Sequence, residues 1–157
     1  MLKKLLIILG AVLTVVILCY AGVSYYISYQ ASKYDAAVVP LLQQVIPEIS
    51  TWQEDAIRRN MSEDALQRIP PQVFSATVEK FSRLGALKSF ETPVFKEVSE
   101  YRSPNVLPGS GPATTTVSYT SEALYENGEA TISLILAEQD GEFQVQYFTI
   151  QSLRLAE

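Results

Sequence analysis

Residues 5–27, LLIILGAVLTVVILCYAGVSYYI, contain no charged side chain. A helix rises about 1.5 Å per residue, so a run of this length can cross a hydrocarbon core of about 30 Å. A helix that is apolar on every side must be covered by protein or by lipid. The run is therefore expected to hold the chain in a bilayer, and the remainder is expected to fold beside it.

A secretory signal peptide also begins with basic residues, here Lys3 and Lys4. Its apolar core is about 7–15 residues long and ends at a small-x-small cleavage site. This run continues well past that length. Its best cleavage candidate, Cys19-Tyr20-Ala21, is poor. Val16-Ile17-Leu18-Cys19 matches a lipoprotein box only loosely, because bulky Leu18 stands where a small residue is needed. The expectation is an uncleaved signal anchor. Tyr20, Tyr25, Tyr26 and Tyr29 gather at its far end, as an interfacial aromatic belt does.

Charge sets the expected orientation. Lys3 and Lys4 precede the run, and the next basic residue is Lys33. The excess of positive charge keeps the N-terminus cytoplasmic and sends the C-terminal part outward, into the periplasm if the membrane is a bacterial inner membrane. The expected layout is a cytoplasmic tail at 1–4, a transmembrane signal-anchor helix at 5–27, a juxtamembrane extension at 28–39 and an extracytoplasmic domain at 40–157. Inside the span, Gly10 and Thr14 lie four residues apart and Gly22 follows, so small surfaces are available for contact with another helix.

Composition narrows the chemistry. The formal net charge is −5, and because Lys3 and Lys4 precede the span, the rest of the chain carries −7. Such a domain is a poor partner for nucleic acid or for anionic headgroups. The only cysteine, Cys19, lies in the span, so the exported part has neither disulfide nor thiol chemistry. There is no histidine. The usual general base near neutral pH, the common zinc ligand and the centre of hydrolytic triads are all missing. No enzyme activity, cofactor or metal is expected.

Beyond the span, residues 33–60 read as a long helix. Leu42, Val45, Ile49, Trp52 and Ala56 recur at helical spacing, and Pro40 and Pro47 are expected to break or kink it. Ser62 caps a short acid-rich helix that ends before Pro70. Pro71 opens another, with Val73, Phe74, Val78, Phe81 and Leu84 on its apolar face and Gly85 as its terminator. From Thr92 the period changes to that of strands. Residues 103–112, SPNVLPGSGP, read as a mobile loop. Asn127-Gly128 and Asp140-Gly141 then mark tight hairpins in an antiparallel meander. Val117, Tyr119, Ile132, Leu134, Leu136, Phe143, Val145 and Tyr147 alternate with polar residues and are expected to face the helices. Thr116, Ser118, Thr131, Ser133, Gln144 and Gln146 are expected to face water.

The expected fold class is thus α+β: a single transmembrane helix, then helices packed on a curved antiparallel sheet of about four strands. The Leu84-Gly85 turn, the Tyr119 strand, the Asn127-Gly128 hairpin and the ending Asp140-Gly141-Glu142-Phe143-Gln144-Val145 resemble small exported domains of the nuclear-transport-factor-2-like and cystatin-like kind. The resemblance covers roughly residues 40–155 and implies a fold, not an activity. It also suggests an apolar cavity between helices and sheet, for which Trp52, Tyr119 and Tyr147 are the candidate lining residues. The paired acids Glu54-Asp55 and Glu63-Asp64 point about 100° apart on a helix and form no convergent dyad. Glu122 and Glu138 are the best remaining carboxylates, and both read as exposed. The functional expectation is a non-enzymatic membrane protein whose outer domain meets another membrane or periplasmic protein. The alternative is a small-ligand-binding module.

Overall fold

A computed structural model of the chain describes residues 2–101 and 114–155. The expected loop at 103–112 lies outside them. Helix α1 runs from Leu2 to Ile49, followed by α2 (Glu54–Asn60), α3 (Glu63–Arg68) and α4 (Pro71–Ser82). Five strands come next: β1 (Leu87–Phe90), β2 (Val94–Tyr101), β3 (Thr114–Tyr125), β4 (Gly128–Gln139) and β5 (Glu142–Gln151). The architecture is α+β, with a long apolar N-terminal helix, three short helices and an open antiparallel sheet.

The expected break in the first helix is absent. Pro40 and Pro47 both lie inside α1, which continues to Ile49 without interruption. Each proline removes the bond its nitrogen would make to the carbonyl four residues earlier, at Ala36 and Gln43. All four residues are exposed, so the released carbonyls face water and the helix survives. One face of α1, made by Tyr34, Val38, Leu42, Val45, Ile46 and Ile49, is buried in the core. Of the described residues, Val12–Ile49 belong to a helix long and apolar enough to cross a membrane, on length and composition alone.

The helix expected to reach residue 60 ends instead at Ile49. Trp52 adopts φ 60°, a left-handed conformation that reverses the chain and opens α2 in a new direction. Tertiary bonds hold this costly turn: Trp52 Nε1 donates to the Gly85 carbonyl at 2.7 Å, and the indole lies against Tyr125 with ring centres 5.5 Å apart. Ser62 caps α3, its Oγ accepting from the Ala65 amide at 3.3 Å. Pro71 stands in the first turn of α4. Phe74, Val78 and Phe81 are buried as their spacing implies, whereas Val73 is 55% exposed.

In the sheet, β3 is central to the ladder. It pairs with β4 on one side, and on the other with β1 along its C-terminal half and β2 along its N-terminal half. Sheet width therefore matches the four strand positions expected, with one edge position split in two. The split falls at Glu91-Thr92-Pro93, where Pro93 is buried and has no amide to give the ladder. Glu91 fills the gap by donating its amide to the Glu122 carbonyl at 2.8 Å and accepting from Ser121 Oγ at 2.6 Å. A four-residue strand such as β1 is too short to show a period of its own, and the strand pattern becomes legible only from Thr92.

Both hairpins form. Gln139 pairs with Glu142 across Asp140 and Gly141, whose φ values of 52° and 84° fit a two-residue turn that needs positive φ at both positions. The other turn sits one residue earlier than expected, on Glu126 and Asn127, with Gly128 pairing Tyr125 at its base. Gly85, at φ 77°, packs against this turn so closely that a Cβ there would lie 2.7 Å from Glu126 Oε2 and 2.9 Å from Glu126 Cβ. Around that contact Asn127 Nδ2 donates to the Arg83 carbonyl at 2.8 Å, and the Asn127 amide donates to the Leu84 carbonyl at 3.0 Å. These bonds tie the end of α4 to the tip of the sheet.

Candidate functional site

The structure does not bring Trp52, Tyr119 and Tyr147 together. Tyr119 is fully buried, donates its hydroxyl to Asp35 Oδ1 at 2.8 Å and meets Phe95 edge-on at 5.6 Å. Burial, reinforced by the negative charge of Asp35, raises its pKa. Trp52 stands at the other end of the core against Tyr125. Tyr147 is 52% exposed on the opposite face of the sheet. The space expected to be a cavity is filled by the α1 stripe packed on Tyr119, Tyr125, Ile132 and Leu134.

A β-bulge explains the misplaced tyrosine. Leu136 pairs with Val145, but Ile135 pairs with Tyr147, leaving Gln146 as an extra residue in β5. Past a one-residue bulge the alternation inverts. Phe148 and Ile150, not Tyr147, then carry the core face forward. Thr116 is a second correction. It is buried and not solvated, its Oγ1 lying 2.9 Å from Ser99 Oγ and donating to the Ser99 carbonyl at 3.0 Å.

Tyr147 instead forms the shared wall of two surface grooves. The larger, about 410 Å³, runs over the outer face of the sheet beneath α3, with Ala65, Ile69 and Ile135 as apolar lining and Arg68, Ser99, Thr116 and Gln146 as polar lining. The smaller, about 240 Å³, lies between α4 and β5 and is lined by Met61, Ile69, Val73, Phe74, Phe81 and Phe148 among others. Ile69 separates the two along with Tyr147. Exposed Val73, Ile135 and Tyr147 thus gather apolar surface around two concavities. The Met61–Val145 bridge and the Ser62 amide, which donates to the Val145 carbonyl at 2.9 Å, hold α3 against β5 and so set the width of the larger groove.

Among the residues that line the two grooves, the charged side chain is Arg68. Arg58 of the Arg58-Arg59 pair stacks its guanidinium over the Phe74 ring at 4.3 Å, which steadies α2 on α4. Among the described residues no group of three His, Cys, Asp or Glu side chains could hold a metal ion. Glu122 and Glu138 are both exposed, and Glu122 accepts from Thr131 Oγ1 at 2.9 Å. Asp35 on α1 is half-buried and accepts the Tyr119 hydrogen bond, a place that the sequence analysis did not assign to it. A signal for it existed: stepping back from Leu42 at helical spacing reaches Val38 and then Asp35, at the margin of the buried stripe.

In the apolar run, Gly10 and Thr14 stay one turn apart on α1, and an added Cβ at Gly22 would meet no atom within 4 Å. Compared with known proteins, the chain matches no family model, no curated protein and no solved structure.

Proposed function

We propose that this is a non-enzymatic, single-pass protein of a bacterial inner membrane, with its N-terminus cytoplasmic and its α+β domain in the periplasm as an accessory or assembly subunit. One observation carries the reading: α1 passes without a linker from the apolar run into the core, so the domain is built directly on its anchor. The exposed apolar surface around Tyr147 supports a protein partner, because such surface rimmed by polar groups marks contact sites. Lys3 and Lys4 support the orientation. A helix laid across an antiparallel meander supports the resemblance to cystatin-like domains.

Capture of the full chain from membranes in mild detergent tests the role. A stoichiometric partner is expected, and Tyr147→Ala is expected to reduce its recovery. Isolation of the free monomer alone overturns the proposal. Alkaline phosphatase fused at the C-terminus tests the orientation and is expected to be active only if that end is periplasmic.

A second reading, a small apolar ligand, draws on the groove lined by Met61, Phe74 and Phe148. Native mass spectrometry of the detergent-released protein distinguishes it by a bound mass below 1 kDa, on the order expected for a groove ligand.

A further inference from the structure

We infer that α1 is a phase-locked post, fixing both the height of the domain above the membrane and the side on which it stands. The inference rests on the anchor reading. Its starting point is the continuity of α1, whose two prolines both lie on the water face. Nothing between the apolar run and Tyr34 interrupts the helix, so there is no joint about which the domain could turn.

The rotational phase follows from the buried stripe. At about 100° per residue, Ser24, Ile27 and Ala31 continue the line of Tyr34, Val38 and Leu42. Ala31 is itself packed against the core. Tyr25, Tyr26 and Tyr29 fall on the far side of the helix by the same arithmetic, and they are 75%, 58% and 62% exposed. The domain therefore stands on the Ser24, Ile27 and Ala31 side of α1, while Tyr25, Tyr26 and Tyr29 face away from it.

The first turn of helix inside the domain is clamped at several points. Tyr34 stacks on Phe95 with ring centres 6.3 Å apart and meets Phe143 edge-on at 6.1 Å. The next residue, Asp35, accepts the hydrogen bond from Tyr119. A clamp one turn beyond the aromatic belt leaves little helix free to bend. Phe143 is the second residue of β5, so the Asp140-Gly141 turn hangs from this clamp towards the membrane side of the domain.

Distance measurements between spin labels in lipid nanodiscs test the post. Cys19→Ser clears the background, and Ser24→Cys with Glu129→Cys places one label at the end of the span and one at the tip of the sheet; both native residues are exposed. A single narrow distance is expected, and Pro40→Ala is expected to leave it narrow. Seven helix-forming residues inserted after Ser28 complete about two turns and raise the domain by about 10 Å, so the distance is expected to lengthen by that amount and stay narrow. A broad or multi-peaked distribution in the parent overturns the inference, as does an insertion that broadens the peak without lengthening it. Failure of the anchor reads out separately, as release of the chain from membranes by alkaline carbonate.

Discussion

Tyr119 and Asp35, 84 residues apart, meet through a 2.8 Å hydrogen bond that joins the middle of the sheet to the helix rising from the apolar run. Tyr119 is wholly enclosed and Asp35 is half-buried, so the bond sits where the domain meets its support. A hydrogen bond to a charged group contributes about 1.5–3 kcal/mol when the partner is well placed. Tyr119→Phe keeps the ring and removes the donor. It is expected to lower stability by about 1–2 kcal/mol, because Asp35 can recover part of the loss from water. Denaturant unfolding of the full chain in detergent, followed through the fluorescence of its only tryptophan, Trp52, measures it.

The two glycines that close turns are expected to differ. Gly141 has φ 84° and open space around a built Cβ, so Gly141→Ala carries the left-handed backbone penalty alone, about 1–2 kcal/mol. Gly85 combines φ 77° with contacts of 2.7 and 2.9 Å to Glu126. Gly85→Ala is expected to cost more than Gly141→Ala, and to alter Trp52 emission as well, because the indole bonds the Gly85 carbonyl. Equal losses in the two variants would show that the α4–hairpin contact yields freely.

Pro40→Ala and Pro47→Ala test the unbroken helix. Each restores an amide that can bond the exposed carbonyl of Ala36 or Gln43. Neither variant is expected to destabilise the domain, and an unchanged or raised midpoint is the predicted result. A fall of more than about 1 kcal/mol would mean that the prolines shape the helix in a way the core needs.

Alkaline pH is expected to weaken the fold. Burial raises the Tyr119 and Tyr125 pKa values above their ordinary 10.0, although the bond to Ser50 partly offsets this at Tyr125. Above that pH the unfolded chain loses protons that the folded chain keeps, so the unfolded state gains. The contribution of both tyrosines is constant below pH 10 and falls as pH rises beyond it. Tyr119→Phe is expected to flatten the decline in unfolding midpoints measured above about pH 10, the ordinary tyrosine value.

At the grooves, function and stability should separate. Tyr147 is 52% exposed and makes no core contact of the kind Tyr119 makes. Tyr147→Ala is expected to change stability by about 0.5 kcal/mol or less while reducing capture of the partner. Loss of both together would assign Tyr147 a structural role.

Much of the fold is legible along the chain. The apolar run, the Ser62 cap, the Pro71 helix start and both hairpin sites each depend on local chemistry within a few residues, which is why they can be read without neighbours. The candidate site is less legible. Tyr147 looked like a core residue because strict alternation from Val145 puts it there, and only the pairing with β4 reveals the bulge at Gln146. Trp52 looked like the next step of a helical stripe. Its left-handed turn is stabilised by Gly85 and Tyr125, neither of which is near it in sequence.

By itself, then, the sequence determined a helix able to span a bilayer, an acidic α+β domain without histidine, and the order of its elements. Tertiary structure decided that α1 passes through two prolines unbroken, that Asp35 enters the core margin, and that Tyr147 faces outward. The physical reason is common to all three. Each depends on whether the fold turns a residue towards the core or towards water, and segments dozens of residues away decide that.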